Sequence, residues 1–267
     1  MTVVNQQYRK LIPSGATPRE ISEVVNNLLD GKSNNVGYVT LNTGWATTTT
    51  IYNERIGYDS YIGIVPDSAS AEGDKLPYGA VSSTTTEYAT AATAVTFNTS
   101  DFDNGVYLSS NKMYFRNSGV YNLQFSIQFA NTDSQIQEAH VWIKKNGTNV
   151  AGTASKYSVP NKHGSIDGYL IAVANFFVDI AAGDYVELFW DATLYANSGG
   201  TTTGIYIEAY AASSPRPSIP SAVLTAQYNQ ASASTNVYVS SQQQGQAILT
   251  HFANNTADKT YKYIVVG

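Results

Sequence analysis

Between residues 119 and 129, Tyr121, Leu123, Phe125, Ile127 and Phe129 alternate without a fault with Asn122, Gln124, Ser126 and Gln128. On a helix those five apolar residues would scatter around the whole circumference; on a strand they share one face. The run therefore demands a long strand with one buried face. Its polar row suits a wet outer face and a contact with another subunit equally well. Further strand signals surround it. Residues 141–145 run into Asn146-Gly147, the commonest two-residue hairpin pair. Residues 169–180 and 185–190 are apolar on both faces, as central strands are, and Ala181-Ala182-Gly183-Asp184 turns between them. Residues 205–210 and 223–228 follow, separated by Pro215-Arg216-Pro217-Ser218-Ile219-Pro220, whose prolines predict an extended crossover. Earlier and later, 38–41, 47–52, 60–65 and two or three segments within 236–267 read as strands.

The composition agrees. Only 13% of the 267 residues are charged, while Tyr, Thr, Ser, Asn, Gln and Gly are abundant. Such a chain suits pleated surfaces and polar turns better than helical bundles. A net charge of −5 with scattered basic residues argues against nucleic acid as a partner. The chain has no cysteine, hence no disulfide framework and no thiolate chemistry. Its first residues lack a basic region followed by an apolar run, and no stretch approaches a membrane span. The expectation is a soluble protein made in the cytoplasm, with no membrane partner.

One helix is punctuated clearly. Thr17 caps it, Pro18 suits the first helical position, and Glu20 completes a capping box. Ile21, Val24, Val25, Leu28 and Leu29 then form one apolar stripe before Gly31 stops the run. About 13 residues are marginal as a helix in water, so the stripe must dock, either on its own domain or on a neighbouring subunit. Ile21, Val24, Leu28 and Leu29 are the candidate anchoring residues. Residues 1–32 form the arm and helix. Residues 73–84, close to the Ser-, Thr- and Ala-rich 82–93 region, read as a linker.

Two stretches carry a family resemblance. The first runs from Asn98-Thr99-Ser100-Asp101-Phe102 through Gly119-Val120-Tyr121-Asn122-Leu123-Gln124-Phe125-Ser126. It continues with Trp142-Ile143-Lys144-Lys145-Asn146-Gly147 and Ala182-Gly183-Asp184-Tyr185-Val186-Glu187-Leu188, and closes with the proline segment. That string resembles the C1q and tumour-necrosis-factor type jelly roll in the version found in tailed-bacteriophage structural proteins. The resemblance implies a ten-strand sandwich that forms homotrimers through flat, aromatic-rich faces. The second is split. Asp30-Gly31-Lys32-Ser33-Asn34-Asn35-Val36-Gly37, Asn53-Glu54-Arg55-Ile56-Gly57 and Ser60-Tyr61-Ile62 resemble the opening half of a small β module of phage virion proteins. Asn236-Val237-Tyr238-Val239-Ser240-Ser241, Leu249-Thr250-His251-Phe252-Ala253-Asn254-Asn255 and 259–267 resemble its closing half. The expected fold is mostly β: a jelly roll at 85–231 inserted into a split module of 33–72 plus 232–267, with one short N-terminal α-helix. What the resemblance implies is a virion protein, either a trimeric capsid-decoration or head-fibre subunit acting by multivalent contacts with capsid or portal and tail proteins, or a tail or collar fibre whose jelly roll binds host surface carbohydrate.

Chemistry is sparse. His140, His163 and His251 show no metal spacing. Glu187 and Asp191 share one strand face, and Asp179 and Asp184 flank a turn, pairs that any β protein offers rather than a glycosidase cleft. Asp67, Glu72 and Asp74 lack the spacing of a calcium loop. No nucleophile elbow or phosphate loop is present. The Asn98, Asn146 and Asn254 sequons have no meaning without secretion. No catalytic residue, metal or cofactor is expected, and the chain reads as a non-enzyme. Tyrosine is the one enrichment, 20 residues. It serves strand filling and subunit contacts, or sugar stacking, for which Tyr157, Tyr169, Tyr195 and Tyr206 are the candidates by position.

Overall fold

The computed structural model describes residues 11, 15–29, 35–72, 76–229 and 237–266. Its helix start is the capping box read from the sequence. Thr17 donates to Glu20 Oε2 through its backbone N–H (2.8 Å) and its hydroxyl (3.0 Å), and the Glu20 N–H donates back to Thr17 Oγ1 (3.3 Å). Helix α1 spans Pro18–Leu29. The chain divides into two units, Met1–Lys75 with Ser234–Gly267, and Leu76–Ala233.

In the first unit, β1 (Val36–Thr40), β2 (Ala46–Tyr52), β3 (Tyr61–Pro66) and the one-turn α2 (Ala69–Glu72) precede the inserted segment. After it come β17 (Val237–Gln243), β18 (Gln246–Asn254) and β19 (Thr260–Val266). They make two antiparallel three-stranded sheets, β1-β19-β3 and β17-β18-β2. Each sheet draws strands from both chain segments, so neither segment builds this core alone. Between the sheets lie Val39, Leu41, Ile51, Ile56, Leu249, Tyr261, Tyr263 and Val265, all buried. Asn254, also buried, donates its amide to the Asn42 (3.0 Å) and Thr256 (2.7 Å) carbonyls and so ties the two segments to each other.

The second unit holds β4 (Tyr78–Ser83), β5 (Thr93–Ala94), β6 (Thr99–Asn104), β7 (Val106–Ser109), β8 (Lys112–Phe115), β9 (Gly119–Asn131) and β10 (Gln137–Lys145). It continues with β11 (Thr148–Asn149), β12 (Ser155–Val159), β13 (Gly168–Ile180), β14 (Tyr185–Ala192), β15 (Ile205–Ile207) and β16 (Ala222–Tyr228). One sheet runs β13-β9-β16-β4-β6; the other runs β7-β8-β14-β10, with β12 closing on β10. Ten principal strands in these two antiparallel sheets form the jelly roll. The period-two run lies within β9, with Tyr121, Leu123, Phe125, Ile127 and Phe129 all buried. They meet Val141, Ile143, Leu188 and Trp190 from the opposite sheet in a single core. Each such side chain contributes about 1.5–3 kcal/mol relative to exposure.

Three expectations need correction. Residues 78–83, placed in a linker, form β4 in the middle of a sheet, because Tyr78 and Val81 favour a strand and pairing with β16 and β6 on both sides fixes it, which the surrounding Ser-, Thr- and Ala-rich composition masks. The proline segment is not an extended crossover: Tyr210 bridges Ile219 and Ser213 bridges Arg216, so the chain doubles back on itself there. Finally, β13, read as central from its two apolar faces, is an edge strand.

Candidate functional site

The two outer faces of the jelly roll are chemically unequal. On β7-β8-β14-β10 the outward side chains fall into rows set by strand register. Tyr107, Tyr114 and Tyr185 are direct cross-strand neighbours, with ring centroids 5.5 and 5.3 Å apart. Beside them Lys144 pairs in register with Glu187, which also takes Lys112 at 3.4 Å. The next pair is Trp142 with Phe189, centroids 5.7 Å apart. Cations cap the rings: Lys112 lies 4.2 Å from the Tyr185 centroid, Lys144 3.7 Å from Phe189 and Arg116 3.9 Å from Tyr107. Trp142 Nε1 donates to Asn149 Oδ1 (2.9 Å). This face satisfies its own aromatic and charged groups and is finished against water.

The outer face of β13-β9-β16 is not finished. The inward row of β13 includes the buried Ala172, Val178 and Ile180. Its outward row should then be polar, yet Tyr169 (51% exposed), Ile171 (57%), Val173 (60%) and Phe177 (63%) stand in it, interrupted by Asn175. Register places Ile171 beside Gln128, Val173 beside Ser126, Asn175 beside Gln124 and Phe177 beside Asn122, and continues the last three rows across β9 to Val223, Thr225 and Gln227. The polar row of the period-two run thus faces outward next to an apolar ladder. An open groove of about 550 Å³ runs over the rows of Val173 and Asn175. An edge strand with an apolar outward row invites another chain, and the charge of this row, Asp179, comes only after Phe177.

Of the four candidate tyrosines, only Tyr169 keeps an exposed ring. Tyr206 is 6% exposed, its ring stacked on Tyr88 (5.0 Å) and its hydroxyl donated to Asp167 (3.2 Å), so it offers no face to a sugar. Tyr157 donates its hydroxyl to the Val173 carbonyl (2.9 Å), linking β12 to the edge of β13. Tyr195 packs edge-on against Trp190 and donates to Asp191. Burial, reinforced by that carboxylate, pushes the Tyr195 phenol up to about 12, so it remains a donor throughout the physiological range. Register sets Tyr169 and Tyr206 on either side of Ala130; Tyr195 bridges Ile205 beside Tyr206 but packs its ring on Trp190, and Tyr157 lies on β12.

Of the anchoring residues, Ile21 is exposed and Val24 half-buried on α1; the side chains of Leu28 and Leu29 lie outside the described residues. Ile171, Val173 and Phe177 were missed by sequence reading. The signal is in the sequence, since 169–180 is apolar on both faces, but two-faced apolarity equally fits a strand covered by neighbours on both sides.

The polar candidates serve the fold. His251 is buried, with Nδ1 bonded to the Phe252 carbonyl (2.7 Å) and Nε2 to Thr49 Oγ1 (2.9 Å). Asp184 clips two turns together, accepting from Asn146 (2.6 Å) and the Ala181 N–H (2.8 Å), while Asn146 Oδ1 accepts from the Tyr185 N–H. Partial burial pushes the Asp184 carboxyl up, but these donors and Lys145 outweigh it and hold the group below its ordinary range. Among the described residues no group of three or more His, Asp or Glu side chains is placed to hold a metal ion, and no helix is long and apolar enough to cross a membrane. Asp74 lies outside the described residues, as does the side chain of Glu72.

No protein-family model and no curated protein matches this chain. Among solved structures, the globular domain of the zebrafish complement 1qA protein aligns at 16% identity and a TM-score of 0.36, covering 58% of this chain and 98% of that one. The jelly roll is therefore defined by the strand order and register of 76–229.

Proposed function

We propose that this chain is a non-enzymatic structural subunit of a bacteriophage particle that forms homotrimers through the outer face of β13-β9-β16. The observation that carries the trimer is the apolar ladder Ile171, Val173 and Phe177 on an edge strand of a face flanked by polar, hydrogen-bonding rows. A three-fold contact covers that ladder and pairs Asn122, Gln124 and Ser126 with polar groups of the neighbour, as interfaces with an apolar centre and polar rim do. The opposite face, saturated by its own cation–aromatic contacts, is left outward. The virion role rests on the sequence resemblance of both segments to phage structural proteins. In it the jelly roll, with β4 included and so spanning 76–229, is an insertion that folds on its own, the strands of 35–72 and 237–266 form the base module, and α1 helps seat the subunit, either by closing the trimer or by contacting a shell protein. Three copies of one weak contact per trimer give the attachment its strength by multivalency.

A second reading, a tail or collar fibre binding host carbohydrate, is favoured only by the exposed ring of Tyr169 at the end of the ladder.

The trimer is tested by light scattering at micromolar concentration. The chain should give three times its 28.8 kDa mass. In the jelly-roll unit alone, residues 76–229, Val173→Asp together with Phe177→Asp should turn the trimer into a folded monomer, since both side chains already face water in the single chain. A monomeric unmodified chain, or a trimer indifferent to both aspartates, would remove the basis of this reading.

A further inference from the structure

The small β unit repeats the asymmetry of the jelly roll in a weaker form. The outward side chains of its β17-β18-β2 sheet are polar apart from the exposed rings of Tyr52 and Tyr238 and the half-buried Ile248. The outward face of β1-β19-β3 instead exposes Tyr38, Tyr61, Val65, Ile264 and Val266, with Lys262 as its charge, lying 5.7 Å from the Tyr38 ring centroid. That is a patch on the order of 400–500 Å², near the top of what soluble monomers leave in water.

The same unit carries a second open apolar surface. Ile21 and Val25, on the stripe of α1, are both exposed. The dimensions match. A helix of 12 residues is about 18 Å long. Three strands at roughly 4.8 Å spacing are about 10 Å across, and five residues of strand run about 17 Å. One such helix is what a sheet face of this size accommodates. The charges agree too, since α1 carries Glu20 and Glu23 against Arg19, and the sheet face carries Lys262.

Only residues 30–35 separate α1 from β1, yet among the described residues Ile21 and Val25 of the helix and Tyr38, Val65, Ile264 and Val266 of the sheet all stay exposed in the single chain. We propose that α1 of one copy lies on the β1-β19-β3 face of a second copy, so that the helices lock the oligomer at its base. This deepens the trimer reading and takes from it only that several copies are held together.

The chain has no cysteine, which makes cross-linking clean. Two single variants of the full chain, Val25→Cys and Val65→Cys, are co-expressed and oxidised. Both positions are exposed, so neither change threatens folding. The expected result is a covalent dimer joining the two different chains, at least tenfold more abundant than with Val25→Cys paired with Thr48→Cys on the polar sheet. Linking no better than that control overturns the proposal. So does a chain carrying both cysteines that closes only on itself, which would mean that the helix covers its own sheet. Light scattering of the same samples separates the two readings. A trimer without the link sinks this proposal alone. A link that survives Val173→Asp with Phe177→Asp while the jelly rolls no longer associate sustains it without the jelly-roll contact.

Discussion

Glu87 shows how a single side chain sets a pH dependence in this fold. Its carboxylate accepts from Ser83 Oγ (2.8 Å) and from the Thr96 N–H (3.1 Å), fastening the loop after β4 to the segment after β5. Burial pushes its pKa above the ordinary 4.5, and the Ser83 and Thr96 donors only partly offset it. A carboxyl whose pKa is raised on folding binds its proton more tightly in the native state. Its ionised form therefore costs stability at neutral pH, and that cost is relieved as pH falls through the folded pKa towards 4.5. The difference in unfolding free energy between the chain and Glu87→Gln, measured by urea titration from pH 7 to pH 4, should shift in favour of the unmodified chain as pH drops. A flat difference would show that the carboxylate is solvated. No local pattern marks it: Glu87 sits in a Ser- and Thr-rich stretch, and it is the return of the chain at 94–98 and again at Ile207, which bridges Glu87, that covers it.

At the scale of elements, α1 and β13 present the same physical problem. Both carry apolar side chains that their own unit leaves uncovered. For α1 the stripe and capping box were readable, because both depend on residues three and four apart. The box stabilises the helix start by about 1 kcal/mol, which is not enough to hold 12 residues helical without docking. Deleting residues 1–32 should leave the jelly roll folded, with an unchanged β-type circular dichroism spectrum and melting within a few degrees, and should abolish recovery of the protein on assembled particles. Truncated protein on particles at full copy number would place the anchor elsewhere. For β13 the pattern was equally visible, but two-faced apolarity fits a central strand and an edge strand at an interface alike. Strand order separates them, and strand order is a property of pairings between residues tens of positions apart.

For the whole molecule, the separation into units has an energetic counterpart. The jelly-roll core, from Val81 to Ala226, closes without a residue from the rest of the chain. The small unit's core needs Tyr261 and Tyr263 from one segment and Val39 and Ile51 from the other. The two should respond oppositely to dissection. Residues 76–229 expressed alone should be soluble and melt in one cooperative transition, whereas residues 35–72 alone should stay unfolded. An aggregated 76–229 fragment would count against an autonomous insertion.

What the sequence determined by itself is whatever depends on short spacing. The inner row of β9, the Asn146-Gly147 turn, the capped start of α1 and the predominance of strands all follow from periods of two or 3.6 and from residues with strong local preferences. The tertiary structure decided what depends on which strands meet. It made β4 out of a supposed linker, put β13 at an edge, buried Tyr206 beneath Tyr88, and capped Tyr107, Tyr185 and Phe189 with cations while leaving Ile171, Val173 and Phe177 bare. The reason is that a side chain's face follows from its own strand, whereas its cover comes from elements brought beside it by long-range pairing, which no local pattern encodes.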